Sequence, residues 1–125
     1  MNTRRCLIFL IICFVVACQQ IDLKSSLEEK NRNSVQSKSG QEYEMVVVQN
    51  FWGDAKFMRT CVPQDSPLLE PITIYLVIDE SGSLNNMEIF PESELASCIK
   101  ENSTKREFPK PPESFTAKIE LSFTE

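Results

Sequence analysis

Apolar positions along this chain form one unbroken block, two alternating runs and two stretches of helical spacing. The block is Cys6 to Ala17, 12 residues without a charge. The clearest alternation is Ile72 to Ile78, with Ile72, Ile74, Leu76 and Ile78 on one face and Thr73, Tyr75 and Val77 on the other. A period of two is that of a β-strand. Asp79-Glu80-Ser81-Gly82-Ser83 reverses the chain, Gly82 being free to adopt positive φ, and Leu84 to Phe90 returns as the second strand of an antiparallel hairpin. Ser114 to Phe123 alternates again: Phe115, Ala117, Ile119, Leu121 and Phe123 oppose Thr116, Lys118, Glu120 and Ser122. That pattern predicts a half-buried strand with one face in solvent.

Helical spacing places Val47, Val48, Phe51, Trp52, Ala55, Met58 and Cys61 on one broad face of Gln41 to Cys61. Ser39 and Glu42 stand at capping-box spacing before it. Gly53 and the β-branched run Val46-Val47-Val48 support a rival reading, a strand over 44–51. A shorter helix is expected over Pro91 to Asn102, with Leu95, Cys98 and Ile99 inward. Prolines at 63, 67 and 71 mark a connector, and Phe108-Pro109-Lys110-Pro111-Pro112 enforces an extended turn. Residues 18–40 are rich in Ser, Lys, Glu, Gln and Asn, with only Ile21, Leu23, Leu27 and Val35 as branched apolar positions. They read as a flexible polar linker, spanning roughly 25 Å on average. The folded domain is expected over 41–125.

The apolar block follows Arg4 and Arg5 and ends at Val15-Val16-Ala17-Cys18. It is too short to span a bilayer comfortably, which takes about 20 apolar residues. A positive start, an apolar run and a small residue before the cut are the parts of a signal peptide. The four closing residues resemble a bacterial lipobox. The resemblance implies a signal peptide over 1–17 and a lipidated Cys18, with the protein held to a membrane of the cell envelope. Gln19 would permit sorting to the periplasmic side of an outer membrane. The alternative is an ordinary signal peptide cut nearby, with Cys18 an incidental thiol.

On that reading, losing Arg4 and Arg5 reduces the 13 basic residues to 11 against 18 acidic ones, a charge of −7. Nucleic acid, which needs clustered Lys and Arg, is excluded as a partner. The chain has no histidine. This removes Ser-His and Cys-His nucleophile pairs and the usual zinc sites. Cys6 and Cys13 leave with the signal and Cys18 takes the lipid, so Cys61 and Cys98 remain; in an oxidising compartment they are most simply a disulfide. Two cysteines without other soft ligands make a poor metal site. The acids of Asp79-Glu80 and of Glu92 and Glu94 fall on a predicted turn and an exposed helix face, where solvation accounts for them. No catalytic residue, metal or cofactor is expected.

Cys61, Ile78-Asp79, Gly82, Cys98, Phe108-Pro109, Pro111 and the strand ending at Phe123 follow one another in a distinctive order. This order resembles the TonB C-terminal-like domain, particularly the AgmX/PglI C-terminal subgroup, over roughly the last 80 residues. The resemblance implies a small α+β domain: a three-stranded antiparallel sheet with two helices on one face. It also implies helix over strand for Gln41 to Cys61, and a bridge between Cys61 and Cys98. The transmembrane helix and long proline-rich span of an energy transducer are replaced here by a lipid anchor and a short polar segment. What carries over is the capacity to bind another envelope protein. The expected docking edge is the terminal strand, accepting a partner strand by β-augmentation, with Tyr75, Thr116, Lys118 and Glu120 at its outward surface. The alternative function is a small-ligand-binding or inhibitor-type lipoprotein.

Overall fold

The computed structural model describes residues 22–53, 56–62 and 70–122. Cys18, Ala55, the connector over 63–69 and Phe123 lie outside the described residues, as does the side chain of Met58. Four helices and three strands follow in the order α1 (22–34), α2 (Lys38–Gly53), α3 (Lys56–Cys61), β1 (Ile72–Ile78), β2 (Leu84–Phe90), α4 (Glu94–Ser103) and β3 (Phe115–Leu121). The strands form one antiparallel sheet in the order β2-β1-β3. The small α+β class with a three-stranded antiparallel sheet, expected from the resemblance, is what forms.

Register explains the core. Ile72, Ile74, Leu76 and Ile78 stand opposite Leu121, Ile119, Ala117 and Phe115, while Leu76 and Ile74 also meet Met87 and Ile89. One sheet face is thus wholly apolar. Tyr43, Val47 and Phe51 from α2, Ala96 and Ile99 from α4, and Phe108 close over it in a single buried cluster. Fully burying side chains of this size contributes about 1.5–3 kcal/mol each. Cys61 and Cys98 are bonded, tying α3 to α4 across a sequence separation of 37.

The turns follow from local chemistry. Asp79 Oδ1 accepts from the Ser81 and Ser83 amides at 2.9 and 3.0 Å and from the Ser81 hydroxyl, which closes the β1–β2 hairpin. Gly82 has φ of 91°, and a Cβ there would collide with the Phe108 carbonyl. Ser93 caps α4 by accepting the Ala96 amide at 3.0 Å. The cap of α2 is Ser37, whose hydroxyl accepts the Gly40 amide at 3.0 Å. This is two residues before the expected Ser39; Gly40 lies against the Ser34 carbonyl, where a Cβ would clash. At the other end of α2, Arg106 donates to the Phe51 carbonyl at 2.9 Å and lies over the Phe51 ring. A cation there complements the helix dipole.

The stretch expected to be a flexible linker is folded from residue 22. Residues 22–34 are helical and cross the face of the sheet opposite the main core. Leu27 is buried to 3% exposure, outside the main apolar cluster. The physical reason is that α1 docks through polar side chains, which a reading based on apolar content passes over. Within the stretch expected to be helical, 41–53 and 56–61 are helical as the period of 3.6 implies, so the rival strand over 44–51 does not form.

Candidate functional site

The terminal strand β3 lies at an edge of the sheet, paired to β1 alone. Its odd positions turn their side chains into the core. Its even positions place Thr116, Lys118 and Glu120 on the opposite face, beside Val77, Tyr75 and Thr73 of β1. These are the residues the sequence nominates for docking, and the structure does bring them together. It also covers most of them.

The cover is α1. Tyr75 has no exposed surface, and its hydroxyl donates to Glu28 Oε2. Lys118 Nζ donates to Glu28 Oε1 at 2.8 Å and lies 3.3 Å from Glu120. One carboxylate therefore clamps a phenol and an ammonium from two adjacent strands. The Lys118 hydrogen bond and then the Tyr75 hydrogen bond hold the Glu28 carboxyl below its usual range. The same contact with Glu28 raises Lys118. Burial first, and the Glu28 hydrogen bond second, raise the Tyr75 phenol. Near the end of the sheet, Lys24 stands over the Phe90 ring, 5.9 Å from its centre.

Beside this clamp, side chains occupy the backbone edge of β3. The Thr116 amide donates to Ser34 Oγ at 3.1 Å, and the Thr116 carbonyl accepts from Asn31 Nδ2 at 2.9 Å. The Lys118 amide donates to Glu44 Oε2 at 3.3 Å, and the same oxygen accepts from Asn31 at 2.6 Å. Asn31 is only 7% exposed and Thr116 only 5%. Backbone groups at a sheet edge need partners when buried, and here three polar side chains supply them. Glu120 remains open, its side chain 73% exposed.

A groove of about 550 Å³ runs between α1 and the sheet, lined in part by Lys24, Glu29, Arg32, Thr73 and Glu120. Its charges are mixed in sign, and Lys118 pairs with Glu28 and Glu120 within it. The acids considered for catalysis are placed otherwise. Asp79 is committed to its own turn, where the Ser81 hydroxyl and the Ser83 amide lower its pKa, and Glu92 and Glu94 are exposed. Among the described residues no group of three or more His, Cys, Asp or Glu side chains is placed to hold a metal, and no helix is long and apolar enough to cross a membrane.

Glu28, Asn31, Ser34 and Glu44 are the site residues that sequence reasoning missed. A signal was present: Leu23, Leu27, Asn31 and Val35 recur every four residues, as one face of a helix does. Comparison with known proteins adds no relative: no family model, curated protein or solved structure matches the chain.

Proposed function

We propose that this chain is a lipid-tethered protein of the cell envelope whose TonB C-terminal-like α+β domain is a non-catalytic module for binding another envelope protein. The observation that carries the binding half is the edge position of β3, with exposed Glu120 beside it. A strand at an edge offers main-chain donors and acceptors to an added strand, and neighbouring side chains select among candidates. The tether rests on the lipobox-like Val15-Val16-Ala17-Cys18. With only residues 19–21 between Cys18 and the described part of α1, the domain would sit close to the lipid headgroups, without a long flexible spacer.

A polar groove of about 550 Å³ favours the second reading, a small-ligand-binding lipoprotein. Such sites are mostly apolar with a few convergent polar groups, whereas this lining is dominated by charged and polar side chains. The protein-binding reading is therefore preferred.

Two measurements test the proposal. Metabolic labelling with an alkyne fatty acid should tag the wild-type chain and leave Cys18→Ala unlabelled; equal labelling of both removes the tether. A photocrosslinking residue at Glu120 should give one discrete adduct in cells, and the same residue at Glu101, on the exposed face of α4, should give none. Identical adduct patterns from the two positions would overturn the docking reading.

A further inference from the structure

The cover over β3 is made of the wrong material for a permanent part of a core. Along the whole described length of α1, Leu27 is the one buried aliphatic side chain, and the other buried residue is Asn31. The other contacts of the helix are mostly polar: Glu28 to Lys118 and Tyr75, Asn31 to Thr116 of the sheet and Glu44 of α2, and Ser34 to Thr116, with Lys24 over the Phe90 ring. Polar contacts are exchanged for contacts with water when they break, so their net contribution is small compared with apolar burial. A helix held mainly this way opens more readily than elements that share the apolar cluster.

The pattern of those contacts is also specific. At Thr116 the cover supplies one acceptor for the amide and one donor for the carbonyl. At Lys118 it leaves the amide on Glu44, an acceptor that Asn31 itself helps to hold. An antiparallel strand would present a C=O and an N–H at the same places. The three side chains thus stand in for the backbone of an absent strand.

We infer that α1 is a detachable cover whose Asn31 and Ser34 hold the edge of β3 where a partner's strand would pair. The partner binds as an extended segment that pairs with Thr116 once α1 lifts, and with Lys118 as it displaces Glu44 of α2, which loses its Asn31 contact when α1 leaves. This rests on the reading of the domain as a docking module. The occupant is identified by its chemistry, a free main-chain edge, because backbone donors and acceptors are what Asn31 and Ser34 of α1, together with Glu44 of α2, imitate. Lifting α1 also uncovers Tyr75, a large apolar ring with a polar tip, next to that edge.

Amide hydrogen exchange on the purified full-length chain tests the cover without any partner. Thr116 and Lys118 should exchange together with the amides of α1, at least about 10-fold faster than Ala117 and Ile119, which face β1. In Asn31→Ala/Ser34→Ala, the first two amides should accelerate about 10-fold more while Ala117 and Ile119 stay unchanged. Should all four exchange at one rate in wild type, or accelerate equally in the double variant, α1 opens only with the whole domain and the inference fails. The photocrosslinker at Glu120 then separates the two claims in cells. The expected result is a higher adduct yield in the Asn31→Ala/Ser34→Ala background than in wild type. An equal or lower yield overturns the cover. No adduct in either background overturns the docking module itself, independently of the exchange result.

Discussion

On one face of the sheet, Val47, Phe51 and Ile99 share a continuous apolar cluster with Ile74, Leu76 and Ile119. On the other, one leucine, one buried asparagine and a carboxylate shared by two strands hold a helix in place. Both faces are covered, yet the means differ. Apolar burial is non-directional and tolerates small shifts, so the first face sets the stability of the domain. Polar contacts require each donor to meet its acceptor, and their net contribution is small, so the second face is specific and separable.

The largest expected effect breaks the first face. Phe51→Ala removes a side chain with no exposed surface from the middle of the cluster. The cost should be about 3–5 kcal/mol in chemical denaturation, a large share of the stability of a small domain. All probes should shift together, α1 included. If α1 alone came loose, the division between the faces would be drawn in the wrong place.

Next comes the bridge. The Cys61–Cys98 bond closes a loop with a separation of 37 residues, and the chain-entropy account gives about 3–4 kcal/mol for a loop of that length. Cys61→Ser/Cys98→Ser should lower the denaturation midpoint accordingly while Thr116 and Lys118 keep their exchange rates relative to α1. The bridge joins α3 to α4, both belonging to the apolar side, and no contact of α1 depends on it.

Leu27→Ala sharpens the comparison from the opposite side. Losing a buried leucine costs about 2–4 kcal/mol where the surroundings cannot collapse. Here the loss should fall on the docking of α1, measured as faster exchange at Thr116 and Lys118 with little change in the global midpoint. A full loss of global stability would show that α1 belongs to the core.

The same division explains what could be read in the sequence. Ile72 to Ile78 and Phe115 to Leu121 betray their faces by strict alternation, and the hairpin follows from Asp79 and Gly82. Helical spacing finds α2 and α4 because the buried side chains Tyr43, Val47 and Phe51 of the one and Ala96 and Ile99 of the other are mainly apolar. The helix α1 escapes because its docking groups, Glu28, Asn31 and Ser34, carry the composition of a linker. Tyr75 and Lys118 read as a solvent face for the same reason. Only the partner acids and amides, dozens of residues away in sequence, reveal that they are covered.

The smallest effect is set by pH and acts on the clamp alone. Glu28 has a lowered pKa when folded, so its contribution to holding α1 is present above the ordinary glutamate value and fades as pH falls through the folded value. Lys118 and Tyr75 are raised, so their contributions are full below their ordinary values and fade as pH climbs through the folded ones. The groups facing Glu28 are Lys118 and Tyr75 from the sheet and Arg32 on its own helix, with Glu120 reached through Lys118. Glu120 is the other carboxylate in this set, so Glu120→Gln serves as the control that separates its share of the acid limb from that of Glu28. Exchange at Thr116, corrected for intrinsic rates, should therefore speed up on acidification below the glutamate range, while Ala117 keeps pace with the global stability. In Glu28→Gln that limb should vanish, since the amide keeps an acceptor for Tyr75 but has no charge to lose. An unchanged acid limb in the variant would assign the loosening to carboxylates elsewhere and leave the clamp without a measurable part in holding the helix.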